Sequence, residues 1–295
     1  MGLMASATCD SWGREPAVGK PGQIAGGVDP EMTYVLAIGC CVPWKKPQTC
    51  SNTVRLFVDA ATAQLNIPHK NILTLIDKEA TYEGVLRGFK WLSEKSSPDN
   101  AVIIYYNGHG AILPEGSGTG ESEDVFVLWS EKFPFAGLYA VLAHIWMNDE
   151  KFSDLVDKLP GKAKLVIADT CHALEEWEDL HPGDAKIDYG LKDAALMAAA
   201  LAGQPAVSTR NHALFTEQLV KAMYSNVDNL KEAFDLAQRE TKKESRIFFR
   251  NLSKKTWGAA CFEQGPTLED PANILPLFIL KDYVGKGAQQ KSSHP

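Results

Sequence analysis

The chain has 295 residues, 45% of them hydrophobic and 23% charged, and 30 Lys+Arg against 37 Asp+Glu leave a net charge of −7. That apolar fraction excludes a mostly disordered chain, and no apolar run approaches the ~18 residues of a membrane span. With no basic block to offset the acids, the balance argues against a nucleic-acid or membrane partner, yet it leaves room for a basic peptide or a metal cation.

Six cysteines, at positions 9, 40, 41, 50, 171 and 261, lack the dense, regular spacing of a disulfide scaffold. They include no CxxC pair, which argues against structural zinc. The N-terminus has no apolar stretch of the secretory type, while Gly2 followed by Ser6 fits the loose myristoylation pattern. Together these features predict a reducing, cytoplasmic setting in which all six cysteines are unpaired.

In chain order, residues 1–31 are Gly-, Pro- and polar-rich without apolar periodicity and read as a flexible tail, as do residues 285–295. Residues 32–284 between them read as one domain. Tyr34–Ile38 is a strand, followed by a loop holding Cys40, Cys41, Pro43 and Pro47. Val54, Phe57, Val58, Ala61 and Leu65 lie at helical spacing. Ile72–Ile76 is the next strand, and Thr81 is placed to cap a helix bearing Val85, Phe89 and Leu92. Ala101–Tyr106 and Lys164–Ala168 are continuous apolar runs of the kind buried on both faces of a sheet, and Leu196–Leu201 is a candidate third. Helices follow at about Thr216–Tyr224 and Leu230–Lys242. This alternation predicts an α/β fold, a mostly parallel sheet with helices on both faces, whose working residues lie beyond the carboxyl ends of the strands.

Two strands run into polar clusters there: Asn107-Gly108-His109-Gly110 and Asp169-Thr170-Cys171-His172. If the strands are parallel and close, His109 and Cys171 emerge on one edge, the minimum equipment for thiol nucleophilic catalysis, because an imidazolium lowers the pKa of a neighbouring thiol. Gly108 and Gly110 allow a sharp turn, and the Gly110 and Cys171 N–H groups together suit an oxyanion hole. The plainer reading is that Cys171 is packing and His109 a loop residue. His172 is the poorer base, since neighbouring residues on a strand point to opposite faces. Trp146 and Trp177 fit either a substrate groove or core packing. Cys40, Cys41 and Cys50 read as spectators.

Tyr105-Tyr106-Asn107-Gly108-His109-Gly110 resembles the histidine motif of the metacaspases, and Asp169-Thr170-Cys171-His172 resembles their cysteine motif. Ala80-Thr81 with Val85 and Leu92, Trp146–Pro160 ahead of the cysteine strand, and Asn211–Thr216 are similar to further family segments in the same order. The animal-caspase signature around the cysteine is absent. The resemblance implies a caspase–hemoglobinase-like three-layer α/β/α sandwich and a cysteine endopeptidase cutting after Arg or Lys. It makes Cys171 the nucleophile, His109 the acid/base and Asp169 part of the basic S1 pocket. A carboxylate beside the nucleophile suits that cation, although capping of a nearby turn is the structural alternative for Asp169.

Two departures stand out: Ala173-Leu174 replaces the family's Ser-Gly, and residues 202–208 carry no second S1 acid. The resemblance further implies Ca²⁺ held by acids such as Asp124, Asp149 and Glu178, with no organic cofactor, and oxygen ligands suit that hard ion. It also implies self-cleavage in the 175–192 segment, with Lys186 as the candidate site, a monomer acting on protein or peptide substrates, and an association with programmed cell death. The alternatives are an inactive caspase-like interaction protein, or a different thiol enzyme such as an amidase.

Overall fold

The computed structural model describes residues 27–41, 48–113, 123–130, 146–170, 191, 193–200, 204–253 and 264–281. The strands are β1 (Thr33–Cys40), β2 (Ile72–Ile76), β3 (Ala101–Gly108), β4 (Gly110–Leu113), β5 (Glu123–Val127), β6 (Trp146–Asn148), β7 (Ala163–Thr170), β8 (Ala195–Ala198) and β9 (Thr267–Glu269). The helices are α1 (Gln48–Gln64), α2 (Tyr82–Lys95), α3 (Asp149–Asp157), α4 (Leu214–Met223) and α5 (Leu230–Ser253).

The main sheet runs in the order β2-β1-β3-β7-β8-β9. Its pairings are parallel from β2 through β8, and β9 closes the edge antiparallel to β8. Residues 101–106 and 163–170 are buried throughout, as strands covered on both faces must be. On one face Val35, Ile103, Tyr105, Leu165, Ile167 and Met197 pack against α1, α4 and α5. On the other, Leu36, Ile104, Tyr106, Val166 and Leu196 pack against α2, α3 and part of β5 and β6. The result is a three-layer α/β/α sandwich. From β1 the chain passes to β2 on one side and then to β3 on the other, so the sheet has a topological switch point between the ends of β1 and β3, where α/β sheets bind ligands.

The helices start where their capping residues dictate. Thr81 accepts from the Gly84 N–H at 3.0 Å to cap α2, and Asn148 accepts from the Lys151 N–H at 3.0 Å to cap α3, while Asp149 and Glu150 complement the α3 dipole. The predicted strands and helices recur with adjusted ends. α5 continues to Ser253 because Phe249 packs on Val207 and Leu214. The third strand is shorter than its apolar run, ending at Ala198 with Ala199 and Ala200 still buried. Residues 27–31, counted with the tail above, join the domain: Val28 donates to the Leu277 carbonyl at 2.8 Å.

Four short strands were not anticipated. β9, and the small antiparallel sheet β4-β5-β6, are strands of three to five residues, too short for alternation to register. The expectation that all six cysteines are unpaired fails at one place: Cys41 and Cys50 form a disulfide. α1 folds back over the end of β1, so close that a Cβ on Gly39 would sit 2.5 Å from Val54 Cγ2. That approach brings together two cysteines whose spacing announces nothing. Among the described residues no helix is long and apolar enough to cross a membrane.

Candidate active site

β3 and β7 pair in parallel up to Asn107 with Asp169 and Gly108 with Thr170. The Asn107 side-chain Nδ2 donates to the Asp169 carbonyl at 3.0 Å, tying the two strand ends together. β1 lies on the other side of β3, with Cys40 opposite Gly108. Gly108 has no room for a side chain, since a Cβ there would lie 2.5 Å from Tyr106 Oη and 2.8 Å from the Cys40 carbonyl oxygen. The glycine is required by close approach of backbone to backbone.

His109 follows immediately, half-buried between β3 and β4. Its carbonyl is held twice, by the Val127 N–H at 2.9 Å and by the Tyr106 hydroxyl at 2.8 Å. The same hydroxyl lies 2.8 Å from the Val127 carbonyl, and the Tyr106 ring packs edge-on against Phe126. The turn that carries His109 is therefore clamped to β5. Gly110 opens β4 opposite Phe126. With the Val127 N–H bonded one position before Gly110, this is a non-hydrogen-bonded pair, in which each residue's own N–H points away from the partner strand.

Asp169 is almost fully buried at 1% exposure. Its Oδ2 accepts from the Thr216 N–H at 3.0 Å and from Thr216 Oγ1 at 2.6 Å. The N-cap residue of α4, Ala213, offers no side-chain cap, so Asp169 supplies from β7 the acceptor that the helix start lacks. Its other oxygen, Oδ1, is buried without a hydrogen-bond partner among the described residues, and so is Asn107 Oδ1 on the register partner. Burial pushes the Asp169 carboxyl up to about 6, against the pull of the two Thr216 bonds. Behind Thr216 stands Tyr105, 2.7 Å from Thr216 Oγ1 and kept protonated by burial and by the Asp169 charge.

Cys40, which ends β1 opposite Gly108, is itself a poor nucleophile. Burial, reinforced by the charge of Asp77, pushes its thiol up to about 12.

Of the residues singled out from sequence, the structure thus brings His109, Gly110 and Asp169 to the carboxyl ends of β3 and β7. Cys171, His172, Ala173-Leu174, Trp177, Glu178 and Lys186 lie outside the described residues. Asp124 lies in β5 and Asp149 opens α3, one position beyond the Val125–Asn148 pair of β5 and β6. Asp149 Oδ1 accepts from the Glu150 N–H at 2.8 Å. Among the described residues there is no group of three acids, histidines or cysteines that could hold a metal. In the 202–208 segment, which carries no second S1 acid, Gln204 is buried and its Oε1 accepts from the Gly265 N–H at 2.8 Å. The sequence reading passed over Asn107, Tyr105 and Thr216, whose polar atoms acquire meaning only through their distance to Asp169.

The chain resembles known proteins in the same region. A sequence model of the caspase domain matches residues 65–272, well over half of the chain. Metacaspase-4 of Arabidopsis thaliana is 29% identical over 147 residues, 46% of this chain and 32% of that protein. Metacaspase-1 of Meyerozyma guilliermondii is 24% identical over 131 residues, 42% of this chain and 30% of that protein. The match therefore spans about a third of the length of these relatives. Among solved structures, caspase-1 from Spodoptera frugiperda aligns with a TM-score of 0.54 at 10% identity, covering 87% of this chain and 93% of that one. A protein of Geobacter sulfurreducens aligns with a TM-score of 0.52 at 15% identity, covering 84% and 99%. The structural likeness bears on the fold alone. Because the sequence match runs from the end of α1 past β9, across the strands that build the site, the chain belongs to the caspase domain family of cysteine peptidases, with metacaspases among its relatives.

Proposed function

We propose that this protein is a metacaspase-like cysteine endopeptidase that cuts after basic residues, with Cys171 as nucleophile and His109 as acid/base. One observation carries the reading: the β3–β7 pairing ends in register at Gly108 and Thr170, and the next residues in the sequence are His109 and Cys171. A thiolate from Cys171 attacks the scissile carbonyl, the N–H groups of Gly110 and Cys171 receive the developing oxyanion, and His109 protonates the leaving amine. Water then hydrolyses the thioester. That the Gly110 N–H points away from β5 supports its part in this scheme.

The basic side chain before the cut is received by Asp169. Its buried, unpartnered Oδ1 and the equally unpartnered Asn107 Oδ1 are acceptors without donors, and an ammonium or guanidinium brings donors and no acceptor. Asn107 thus stands in for the second acid missing from residues 202–208. The test is turnover of peptides with Arg, Lys or Asp at P1, by the wild type and by Cys171→Ala. Arg and Lys peptides are expected to be cut, and Cys171→Ala to abolish cutting; turnover that survives the substitution overturns the role of Cys171. A protein that cuts none of them is instead the interaction module that the replaced Ala173-Leu174 would suit.

Self-cleavage after Lys186 belongs to the same proposal, and intact-mass analysis of incubated wild type and Cys171→Ala decides it. So does Ca²⁺ binding by Asp124, Asp149 and Glu178. The neighbouring register positions of the first two suit a cation that collects carboxylate oxygens, but no step of the reaction is routed through it. Ca²⁺ is expected to raise the melting temperature of the wild type and not of Asp124→Asn with Asp149→Asn; equal melting with and without Ca²⁺ removes the site.

A further inference from the structure

We infer that Thr216 and Tyr105 are positioning residues for recognition of the basic side chain: they pin Asp169 by one oxygen and leave the other for the ligand. The inference rests on the proposed role of Asp169 and asks how the carboxylate is held for it. Thr216 has a single hydroxyl hydrogen, and the 2.6 Å contact commits it to Asp169 Oδ2, which can only accept from it when ionised. The 2.7 Å contact between Tyr105 Oη and Thr216 Oγ1 must then carry the tyrosine hydrogen. The bonds therefore run one way, from Tyr105 to Thr216 to Asp169, each donor polarising the next.

Every member of this relay is buried and packed. Tyr105 is fully buried and stacked on Phe57, with ring centroids 4.2 Å apart and planes 10° from parallel. Thr216 is fully buried in the first turn of α4. That turn is anchored in turn by the Ala213 N–H, which donates to Thr53 Oγ1 of α1 at 3.0 Å.

The consequence is an asymmetric carboxylate. Among the described residues Oδ2 has two donors, both from Thr216, and Oδ1 has none. Asp169 therefore meets a ligand end-on through Oδ1, on the strand position paired with Asn107. A helix cap needs only one oxygen, so an unpartnered second oxygen in a buried carboxylate is an expensive feature unless a donor arrives. Capping of a turn and receipt of a cation, alternatives when read from sequence, are here divided between the two oxygens of one side chain.

The test uses full-length Cys171→Ala protein, which binds without cutting, and calorimetry with two acetylated peptides that end in arginine or in citrulline, its neutral isostere. Binding of the arginine peptide is expected, with clear discrimination against citrulline. Thr216→Val should weaken arginine binding by about tenfold, the loss of a hydrogen bond to a charged group; Tyr105→Phe, which removes a bond between two hydroxyls, should weaken it by less, and both should narrow the discrimination. Thr216→Ser, which restores the hydroxyl, should recover both. Tyr105→Phe keeps the stacked ring and guards against a variant that fails to fold, as judged by circular dichroism. Unchanged discrimination in both Tyr105→Phe and Thr216→Val, an equal loss in Thr216→Ser, or no binding of the arginine peptide overturns the inference. Failure of the peptidase reading appears separately, as absence of turnover in the wild type.

Discussion

Asp169 carries opposing demands that a pH experiment can separate. Burial raises its carboxyl from 3.8 in the unfolded chain to about 6 in the fold. A carboxyl raised on folding favours the protonated native state, so its stabilising contribution is complete below the unfolded value and is lost as pH rises through about 6. The two values differ by enough to remove about 3 kcal/mol of stability between about pH 4 and about pH 7. Urea unfolding of wild type and Asp169→Asn across that range is expected to show this slope in the wild type only; parallel curves would mean that the carboxyl is not raised. Gly108 provides a second residue-level prediction. Alanine there meets Tyr106 Oη and the Cys40 carbonyl, neither free to withdraw, and is expected to cost about 1–3 kcal/mol, read as a lower melting temperature. An unchanged melting temperature would mean that the strand ends part easily.

Between elements, the site depends on ties that cross the sheet end. The Cys41–Cys50 disulfide joins the residue after β1 to the first turn of α1, and the Cys41 N–H reaches Asp77 Oδ1 at 3.3 Å, at the end of β2. A loop of this length closed by a disulfide is worth about 2–3 kcal/mol. Cys50→Ser is therefore expected to lower stability by that amount under oxidising conditions and by nothing in excess dithiol. Alkylation of the unreduced, denatured protein should leave Cys41 and Cys50 unlabelled; labelling of both shows that the bond does not form. On the other side of the site, Tyr106 spans the His109 and Val127 carbonyls. Tyr106→Phe keeps the ring against Phe126 and removes the clamp, an expected loss of about 1 kcal/mol. In a functioning peptidase it should lower kcat while leaving KM near its wild-type value, because the turn bearing His109 loosens and the pocket at Asp169 does not. A change in KM alone would assign Tyr106 to substrate binding instead.

For the whole molecule, what could be read from the linear chain follows from the range of the forces involved. Ala101–Tyr106 and Lys164–Ala168 announce buried parallel strands because a strand covered on both faces must be apolar at consecutive positions. Thr81 announces the start of α2 because capping is satisfied three residues away, at Gly84. The polar clusters after two such strands point to the edge of the sheet where chemistry is done, and their local patterns resemble the metacaspase motifs at His109 and Cys171. Strands of three residues escape because they carry too few side chains to show a period, and α5 outruns its estimate because Phe249 finds partners at Val207 and Leu214, far away in sequence. The sequence by itself therefore determined the layer architecture, the family and the two strand ends to inspect, all properties set by neighbours along the chain. Only the tertiary structure decided that Cys41 meets Cys50, that Asn107 faces Asp169, and that Thr216 and Tyr105 hold one oxygen of that carboxylate while the other is left without a donor. Those contacts join residues up to 111 positions apart. They are fixed by where the packed layers bring the chain back upon itself, and no local pattern encodes that.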